Sequence, residues 1–403
     1  MLQPSAGLAG AWSCVDAARG TDSLLGVWGD VAYRPRAIRN NGIAVGDMLV
    51  LFVLCAAVLA IVTSNLPSSS FLFSQAAREI QVRRLPENPL VKVDTSPMLG
   101  GNVNGPTVIR VPNWIDRPLG RYYMYFANHM GDSIRLAYSD AVSGPWKIYA
   151  PGAVHVRETA FFRAQPDPPE TLDDFYTHVA SPEVFIDSEK RRLVLWFHGW
   201  WTNGERWPRE PREARTWARS RGYGQYTQVA VSGDGIHFDL QSAITKQSYL
   251  RIFRHGGYFY SMARLGQLLR SSDPLAAFET GPNPFRDTAY ADRVRHVALA
   301  RRGARLHVFF TAIGDAPERV LASTIDLTPD WQTWRASPPV PVLQPETSYE
   351  CASLPMVPSE PGDVQGRVRQ IRDPFVLEDQ DRTFLFYSIC GEQGIAAAEI
   401  ALR

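Results

Sequence analysis

The chain has 403 residues, of which 45% are hydrophobic and 11% aromatic, so it can bury a large core and is not a disordered protein. Its 42 basic and 41 acidic residues leave a formal charge of +1, which excludes a strong overall field that would steer it to nucleic acid or to an anionic surface. Two of the four cysteines, Cys351 and Cys390, lie in the globular part; they are too few for a disulfide framework or a zinc site, although a single bridge is compatible with them.

The amino-terminal part contains an apolar run of 15 residues without a charge, at positions 48–62. Arginines precede this run and a polar stretch follows it, which is the pattern of a secretory signal or a short signal anchor. The run is shorter than a usual membrane span of about 20 residues, and no clear small-residue cleavage site follows it. We therefore expect a signal peptide or membrane-anchor helix over residues 48–65, after an unassigned segment at 1–47. An uncleaved anchor is favoured, and a buried core helix is the alternative.

This segment predicts that the rest of the chain is membrane-anchored or exported, as a periplasmic or extracellular domain. Residues 66–99 are expected to form a linker. Within it, residues 87–93 are a candidate ring-closing strand that pairs with residues 395–402 and so removes an exposed sheet edge.

From about residue 100 to residue 403, helical periodicity nearly disappears, and short β-branched and aromatic runs alternate with turn residues. Five units repeat one plan: an apolar strand, a polar turn, an aromatic strand, and a strand that often ends in Ser-Asp or Ser-Gly-Asp. One small sheet can bury its faces only against its neighbours, so this repetition predicts an all-β five-bladed β-propeller with at most one ordinary helix. A sandwich of two sheets is the alternative.

The innermost strand of each propeller blade begins near the central axis, so the residues at the five strand starts should converge on one funnel. Glu183 and Asp373 are the acidic residues at such starts, and glycoside hydrolysis commonly needs two carboxyl groups. The polar residues at the other starts are candidates for substrate binding: Asn104, His178, Arg251, His296 and Arg372.

Each of these residues also has a structural alternative. Asp373 could cap a turn before Pro374 or pair with Arg372. Glu183 is either functional or part of a buried ion pair, because an unpaired carboxylate in an apolar strand is costly. Arg251 would suit an anionic sugar through bidentate contacts or would balance Glu183, and His296 is a functional residue or a satisfied core histidine.

The longest insertion, residues 199–225 in the second unit, holds four tryptophans among many arginines. Trp200 is a candidate for stacking on a sugar ring, and the arginines could receive anionic substituents. A lid packed by its own tryptophans is the structural alternative. Nucleic-acid binding is disfavoured by the near-neutral charge and the export signal.

The segments RDPFVLED (372–379), SPEVFID (181–187) and VSGDGIHF (231–238), in their order and repetition, resemble the five-bladed glycoside hydrolases, above all glycoside hydrolase family 43. The resemblance implies a carbohydrate substrate and no required cofactor. It also implies a histidine near the position of His296 that helps to hold a central cation, such as calcium, or water. No other metal ligands are expected.

This chain departs from the family pattern at two positions. The resemblance implies an aspartate before the first-blade proline and a glutamate at the third-blade strand start, where this sequence has Gly105 and Tyr249 with Arg251. The second-blade position matches Glu183. We therefore expect a glycoside hydrolase of poly- or oligosaccharides that uses Glu183 and Asp373 as its carboxylate pair, with inversion as the expected outcome. The alternative is a catalytically inactive glycan-binding propeller.

Overall fold

The computed structural model describes residues 80–402, apart from residues 130, 163–176, 206–207, 209–210 and 365. Within this part of the chain the strands form five antiparallel sheets, so the all-β five-bladed propeller is confirmed. The expected signal or anchor segment at 48–65 lies outside the described residues. No helix among the described residues is long and apolar enough to cross a membrane.

Each blade is a four-stranded meander whose first strand lies at the axis, and blade five is completed by strands from the amino-terminal side. Blade one contains β3 (Asn104–Arg110), β4 (Tyr122–Ala127), β5 (Ser133–Ser139) and β6 (Lys147–His155). Blade two contains β7 (Ala180–Asp187), β8 (Arg192–Trp201), β9 (Gly224–Ser232) and β10 (Asp239–Thr245). Blade three contains β11 (Arg251–His255), β12 (Tyr258–Met262), β13 (Leu268–Ser271) and β14 (Glu279–Thr280).

Blade four contains β15 (Val294–Arg302), β16 (Arg305–Ala312), β17 (Val320–Asp326) and β18 (Val340–Leu343). Blade five contains β19 (Arg372–Asp379), β20 (Arg382–Ile389), β21 (Gly394–Leu402), β1 (Ile80–Arg84) and β2 (Val91–Lys92). The described residues form one α-helix, α1 (Pro211–Arg221), in the long insertion of blade two. Short 3-10 turns lie at Val93–Thr95, Pro97–Leu99, Val156–Glu158, Arg264–Gly266, Trp331–Thr333 and Ser348–Glu350.

The core is divided into clusters that lie between neighbouring blades. Strand β4 illustrates the reason, since all six of its residues are buried. Successive side chains of a strand point to opposite faces, so Tyr122, Met124 and Phe126 pack against blade five, whereas Tyr123 and Tyr125 pack against blade two. A middle strand is therefore apolar on both faces, which is why its sequence reads as a continuous hydrophobic run.

The ring is closed by strands from both ends of the described chain. Strand β1 pairs with β21 from Ile80 opposite Leu402 to Arg84 opposite Ala398. Strand β2 pairs Val91 with Ile395 and Lys92 with Gly394, so residues 87–93 meet the expected partner segment 395–402 at one residue pair, and 398–402 pair with β1 instead. The propeller thus includes residues 80–99, which the sequence pattern had placed in a linker, because β1 is a short edge strand without a strong pattern of its own.

Side chains hold this closure in place. The amide of Asn88 pairs with Ala397 as a peptide group would: Nδ2 donates to the carbonyl oxygen at 2.7 Å, and Oδ1 accepts from the backbone N–H at 2.9 Å. Arg84 donates from Nε to the buried Glu350 carboxylate at 2.8 Å. The next residue after Glu350, Cys351, forms a disulfide with Cys390 at the end of β20, with a Cα–Cα distance of 5.2 Å.

Candidate functional site

The inner strands share an irregularity at the end where they begin. In four of the five blades the register with the second strand shifts, so that two residues are left out of the ladder: between Asn104 and Thr107, Ala180 and Glu183, Val294 and Val297, and Arg372 and Phe375. Such bulges redirect side chains, and here they do so around the propeller axis.

Several residues at this level have left-handed backbone conformations. The φ angles are 59° at Gly105, 48° at Ser181, 60° at Tyr249 and 49° at Asp373. A glycine adopts this conformation without penalty, whereas serine, tyrosine and aspartate pay about 1 kcal/mol or more, and such strain is typical of functional sites. In three blades the next residue is a proline, which leaves no N–H group unpaired at the bulge.

These residues surround a narrow pocket of about 10 Å³ on the axis, which we call the axial pocket. Its walls are formed by residues from all five blades: Gly105, Ser181, Tyr249, Leu250, Arg251, His296, Val297 and Asp373. Asp373 is the only carboxylate among these lining residues. The structure therefore brings together three of the predicted site residues, Arg251, His296 and Asp373.

Asp373 is buried and is held through both of its oxygens. Oδ1 contacts Nδ1 of His296, and Oδ2 accepts a hydrogen bond from the Ser388 hydroxyl at 3.0 Å. Burial alone would raise the pKa of the Asp373 carboxyl, but the His296 ring, the Arg372 charge and the Ser388 hydroxyl outweigh burial and hold this pKa below its usual range. The group is consequently a carboxylate at neutral pH.

Glu183 lies two residues after Ser181 in β7, and both oxygens of its carboxylate accept hydrogen bonds. Oε2 accepts from Arg251 at 2.9 Å and from the Thr107 hydroxyl at 3.2 Å, and Oε1 accepts from the Ile252 N–H at 3.0 Å. Burial raises the pKa of the Glu183 carboxyl, and the charge and hydrogen bonds of Arg251 oppose this shift only in part. Glu183 does not line the axial pocket.

Arg251 lines the pocket and contacts every blade. From blade three it donates to the carbonyl oxygens of Pro106, Pro182 and Val297, at 3.1, 2.8 and 3.1 Å, in blades one, two and four. Its guanidinium carbon also lies 5.3 Å from the ring centre of Phe375 in blade five. The pair Glu183–Arg251 is therefore an axial plug that joins the blades.

Arg372 belongs to a second buried charge network, between blades four, five and one. Its guanidinium lies 3.2 Å from Glu318 Oε2 and donates to Glu392 Oε1 at 3.1 Å and to Gln370 Oε1 at 2.7 Å. Glu318 also accepts from Arg295 at 2.8 Å. The side chain of Arg372 is thus satisfied by the protein and does not line the pocket, although its charge acts on Asp373.

A second carboxylate of this network, Glu392, holds Asn104. Oε2 of Glu392 accepts from Asn104 Nδ2 at 3.0 Å and from Asn102 Nδ2 at 2.6 Å, and it lies 3.5 Å from His129 Nδ1. Burial would raise the pKa of the Glu392 carboxyl, but its partner His129 outweighs burial and lowers it. Asn104 therefore belongs to the charge network beside the pocket and does not line the pocket itself.

A row of rings leads from blade two to the pocket. His178 packs edge-on against His198 with ring centres 5.7 Å apart, and Tyr249 follows at 4.3 Å from His198 and 4.3 Å from His296. Burial, reinforced by the neighbouring cations and imidazoles, lowers the pKa of His198 well below its usual value. His198 is therefore neutral. His178 does not line the pocket, and the rings of His198 and Tyr249 lie between it and His296.

Trp200 lies away from the axial pocket. It packs with Ala214 and Ala218 of α1, beside Trp217 and Tyr223, and it borders a surface groove with Tyr226. The described part of the insertion at 199–225 thus resembles a lid packed by its own aromatic residues.

The residues at the pocket do not fit the cation that the family resemblance implies near His296. Nδ1 of His296 is in contact with Asp373, and among the residues that the structure describes no group of three or more His, Cys, Asp or Glu side chains is arranged to hold a metal ion.

Sequence reasoning did not single out Ser181, Ser388 and Glu392 as site residues. Ser181 had a usable signal, because it precedes a proline as Gly105 and Asp373 do. Ser388 and Glu392 had none: one lies inside an apolar strand, and the other lies in a turn, where a glutamate is ordinarily a surface residue.

Comparison with known proteins gives one close sequence match and several structural neighbours. No protein-family model matches the chain. Uncharacterized protein R118 of Acanthamoeba polyphaga mimivirus is 33% identical over 345 residues, a match that covers 80% of this chain and 91% of that protein.

The structural neighbours include family 43 glycoside hydrolases, as the resemblance in sequence implies. One solved structure, described as a glycoside hydrolase, has a TM-score of 0.50 at 12% identity and covers 83% of this chain and 96% of its own. A thermostable family-43 glycoside hydrolase has a TM-score of 0.47 at 12% identity, with 74% and 88% coverage. At these identities the likeness concerns the fold alone.

Proposed function

Since the chain belongs to the family of protein R118 from Acanthamoeba polyphaga mimivirus, for which no activity is named, we propose a function from the site itself: the protein binds a saccharide at the end of the propeller axis, over the axial pocket. The propeller fold, which it shares with a glycoside hydrolase, makes a carbohydrate the ligand to test first.

The observation that carries this proposal is the convergence of polar side chains in the pocket. Ser181, Tyr249, His296 and Asp373 reach it from four different blades, and Ser181 and Asp373 lie in the bulges of β7 and β19 with left-handed backbone conformations. A hydroxyl, a phenol, an imidazole and a carboxylate are groups that form hydrogen bonds with sugar hydroxyls. A tyrosine ring also offers an apolar face to a sugar ring.

Hydrolysis by the pair Glu183 and Asp373 is the second candidate function, with inversion as its expected outcome. It is favoured by the opposite pKa shifts of the two carboxyls, since burial raises the pKa of Glu183 while the surroundings of Asp373 lower its pKa. Two carboxyls whose pKa values are pushed apart are typical of an acid and a base in one reaction.

Binding without cleavage is the better supported of the two. A general acid must present its proton to the leaving oxygen of the substrate, but both oxygens of Glu183 already accept hydrogen bonds from the protein and the group does not line the pocket. The pocket itself contains a single carboxylate, whereas the expected reaction needs two.

A glycan panel separates the two candidates. The full-length wild-type protein and the variants Asp373→Asn and Glu183→Gln are assayed for saccharide binding and for release of new reducing ends. Binding without release supports the glycan-binding function. Release that falls by about a hundredfold or more in both variants, with folding intact, supports hydrolysis by the pair. Neither binding nor release by the wild type refutes both candidates.

We also propose that the protein is membrane-anchored or exported. The apolar run at 48–62 supports this location, and so does the disulfide between Cys351 and Cys390, because structural disulfides persist in oxidising compartments. Fractionation of cells that express the full-length chain, followed by protease treatment of intact cells, tests the proposal. A chain recovered in the cytosolic fraction with both thiols free would contradict it.

A further inference from the structure

We infer that the surface groove beside Trp200, between blades two and three, binds an acidic unit of the saccharide, and that Arg264 and Lys246 hold the anionic group of that unit. This inference rests on the proposed function, because it takes the ligand to be a saccharide. It adds the chemical class of the ligand, a saccharide that carries a carboxylate or a sulfate ester, and a part of the binding site that lies outside the axial pocket.

The groove is large enough for a sugar ring, whereas the axial pocket is not. Its volume is about 360 Å³, against about 10 Å³ for the axial pocket. Ligand sites in proteins usually have volumes of about 300 Å³ or more. Blade two contributes Trp200 and residues 224–226 to its walls, and the other walls are residues 246–248, Arg264 and Leu265. We call this feature the interblade groove.

The charge of the interblade groove is positive and is not balanced by its own lining. The lining contains two cations, Lys246 and Arg264, and no carboxylate. The other arginines of blade three each lie beside a carboxylate: Arg251, Arg254 and Arg270. Within the part of the chain that the structure describes, neither Lys246 nor Arg264 forms an ion pair, and both residues are exposed. An anionic ligand would therefore supply the missing counter-charge.

The turn that carries Arg264 is fixed by hydrogen bonds of its backbone. The N–H group of Arg264 donates to the carbonyl oxygen of Ser248 at 3.0 Å. Leu265, the next residue, has a left-handed φ of 61°, and its carbonyl oxygen accepts from Asn283 Nδ2 at 2.9 Å. Strained backbone of this kind is typical of ligand sites, where the surrounding structure maintains it. A fixed turn also lowers the entropic cost of binding a ligand.

The interblade groove has aromatic walls beside its cations. Trp200 packs on Ala214 and Ala218 of α1, and Tyr226 packs on Trp201 with ring centres 5.7 Å apart. Aromatic side chains combine a large apolar surface with a polar group that can form a hydrogen bond. A simple inorganic anion needs only the two cations, whereas a sugar ring with an anionic substituent uses both the aromatic surface and the charges. The lining therefore favours an acidic saccharide over a free anion.

The interblade groove adjoins the axial pocket. Ser248 lines the groove, and the next residue, Tyr249, lines the pocket. Burial and the neighbouring imidazoles lower the pKa of His198, and the charge of Arg264 adds to this shift, so Arg264 lies near the row of rings. The carboxylate of Asp373 disfavours a second negative charge over the pocket itself. We therefore expect one oligosaccharide to place a neutral unit over the pocket and an acidic unit in the groove.

Matched pairs of oligosaccharides test the ligand class. Uronic acid oligosaccharides are compared with their own methyl esters, and O-sulfated oligosaccharides with their unsulfated parents, for binding to the full-length wild type. The acidic member of a pair should bind roughly tenfold or more tightly, the scale of one charge-assisted hydrogen bond. Added salt should weaken binding of the acidic member and leave the neutral member nearly unchanged, because the two cations are exposed.

Variants that remove charge test the two residues. Arg264→Gln and Lys246→Gln should each reduce the preference for the acidic member by roughly three- to tenfold, and the double variant should abolish it. Arg264→Lys should retain more of the preference than Arg264→Gln. Lys190→Gln is the matched control, since it removes an exposed charge of blade two from the turn before β8, outside the groove. Tyr226→Ala, if its thermal melt shows it folded, should weaken both members of a pair by the same factor.

The outcomes separate this inference from the proposed function. Equal affinities within each pair, or a preference that survives in the double variant, overturn the role of the interblade groove and leave saccharide binding standing. Inorganic sulfate bound as tightly as the acidic oligosaccharides would make the groove a simple anion site and also overturn the inference. A larger preference for the sulfated oligosaccharides supports the inference and identifies the anion as a sulfate ester. Failure of the wild type to bind any saccharide, acidic or neutral, overturns the proposed function and the inference with it.

Discussion

Glu183 and Asp373 are both buried carboxylates near the start of an inner strand, but they have different partners and only Asp373 lines the pocket. Asp373 precedes the proline of its bulge and faces the pocket, whereas Glu183 follows the proline of its own bulge and meets Arg251. The sequence predicted that both residues reach the axis. It could not predict that only Asp373 lines the pocket. A shift of one residue along a bulged strand changes where a side chain points, and the partner of Glu183, Arg251, comes from another blade.

The axial plug predicts a strong loss of stability when one partner is removed. Arg251→Met should destabilise the protein by roughly 3 to 5 kcal/mol, since it leaves the buried Glu183 carboxylate without its counter-charge and removes the hydrogen bonds of Arg251 to three carbonyl oxygens. Urea unfolding measures the change in the free energy of unfolding. The double variant Glu183→Leu with Arg251→Met should recover part of this loss, and a double variant less stable than Arg251→Met would contradict the pairing.

The carboxyl of Asp373 predicts a specific dependence of stability on pH. Its pKa in the folded protein is lowered below the ordinary value of about 3.9. At acidic pH the unfolded chain therefore binds a proton at Asp373 more readily than the folded protein does. Its contribution to stability is therefore fully present above the unfolded pKa and is lost as the pH falls below that value towards the folded pKa.

The measurement compares the free energy of unfolding of the wild type and Asp373→Asn between pH 7 and pH 3. The difference between the two should shrink as the pH falls below about 4. Asp379→Asn provides the control on the same strand. A difference that grew as the pH fell would mean that the pKa of Asp373 is raised rather than lowered.

At the scale of elements, the repeated strand pattern predicted the blades, but it did not predict the closing strand β1. Strand β1 has five residues with alternating burial and lies at the edge of blade five. Edge strands carry little hydrophobic signal, and the position of this one is fixed by residues far away in the sequence: the Glu350 carboxylate, which pairs with Arg84, and the backbone of Ala397, which pairs with the Asn88 side chain. The sequence also could not decide whether Cys351 and Cys390 form a disulfide, because their spacing along the chain does not show whether they are close in space.

Arg84 predicts the strength of this closure. Arg84→Met should lower the free energy of unfolding by roughly 1.5 to 3 kcal/mol, because the fully buried Glu350 loses a charged donor at 2.8 Å. Arg83→Met is the matched control on the same strand, since Arg83 makes only an exposed ion pair with Glu399 and its loss should cost little. Equal effects of the two changes on the melting temperature would contradict the anchoring role of Arg84.

The bridge between Cys351 and Cys390 predicts a stabilisation that depends on redox state. Chain-entropy arguments give about 4 kcal/mol for a crosslink with a sequence separation of 39 residues. The double variant Cys351→Ala with Cys390→Ala should therefore unfold at lower urea concentration than the oxidised wild type. Adding a reductant should bring the wild type towards the variant and leave the variant unchanged; a reductant without effect on the wild type would show that no bridge forms.

At the scale of the molecule, the five-fold repetition was sufficient to predict the architecture. Each blade shares its core with its two neighbours, as the two faces of β4 show, so a single unit could not be stable alone. The identity of the pocket residues was a weaker prediction, because it depends on bulges and on contacts between blades that no local pattern contains. His296 and Asp373 were recognised as separate residues, and only the folded ring makes them a pair.

The closure of the ring by β1 and β21 also governs how such a chain can reach its native state. Asn88 and Ala397 lie 309 residues apart, so this contact carries one of the largest loop-closure costs in the protein and belongs to the class that slows folding. Until the last strands leave the ribosome, the face of β4 that carries Tyr122, Met124 and Phe126 has no blade five to cover it. The newborn chain therefore carries an uncovered apolar sheet face through most of its synthesis, and we expect it to be prone to aggregation until the ring is complete.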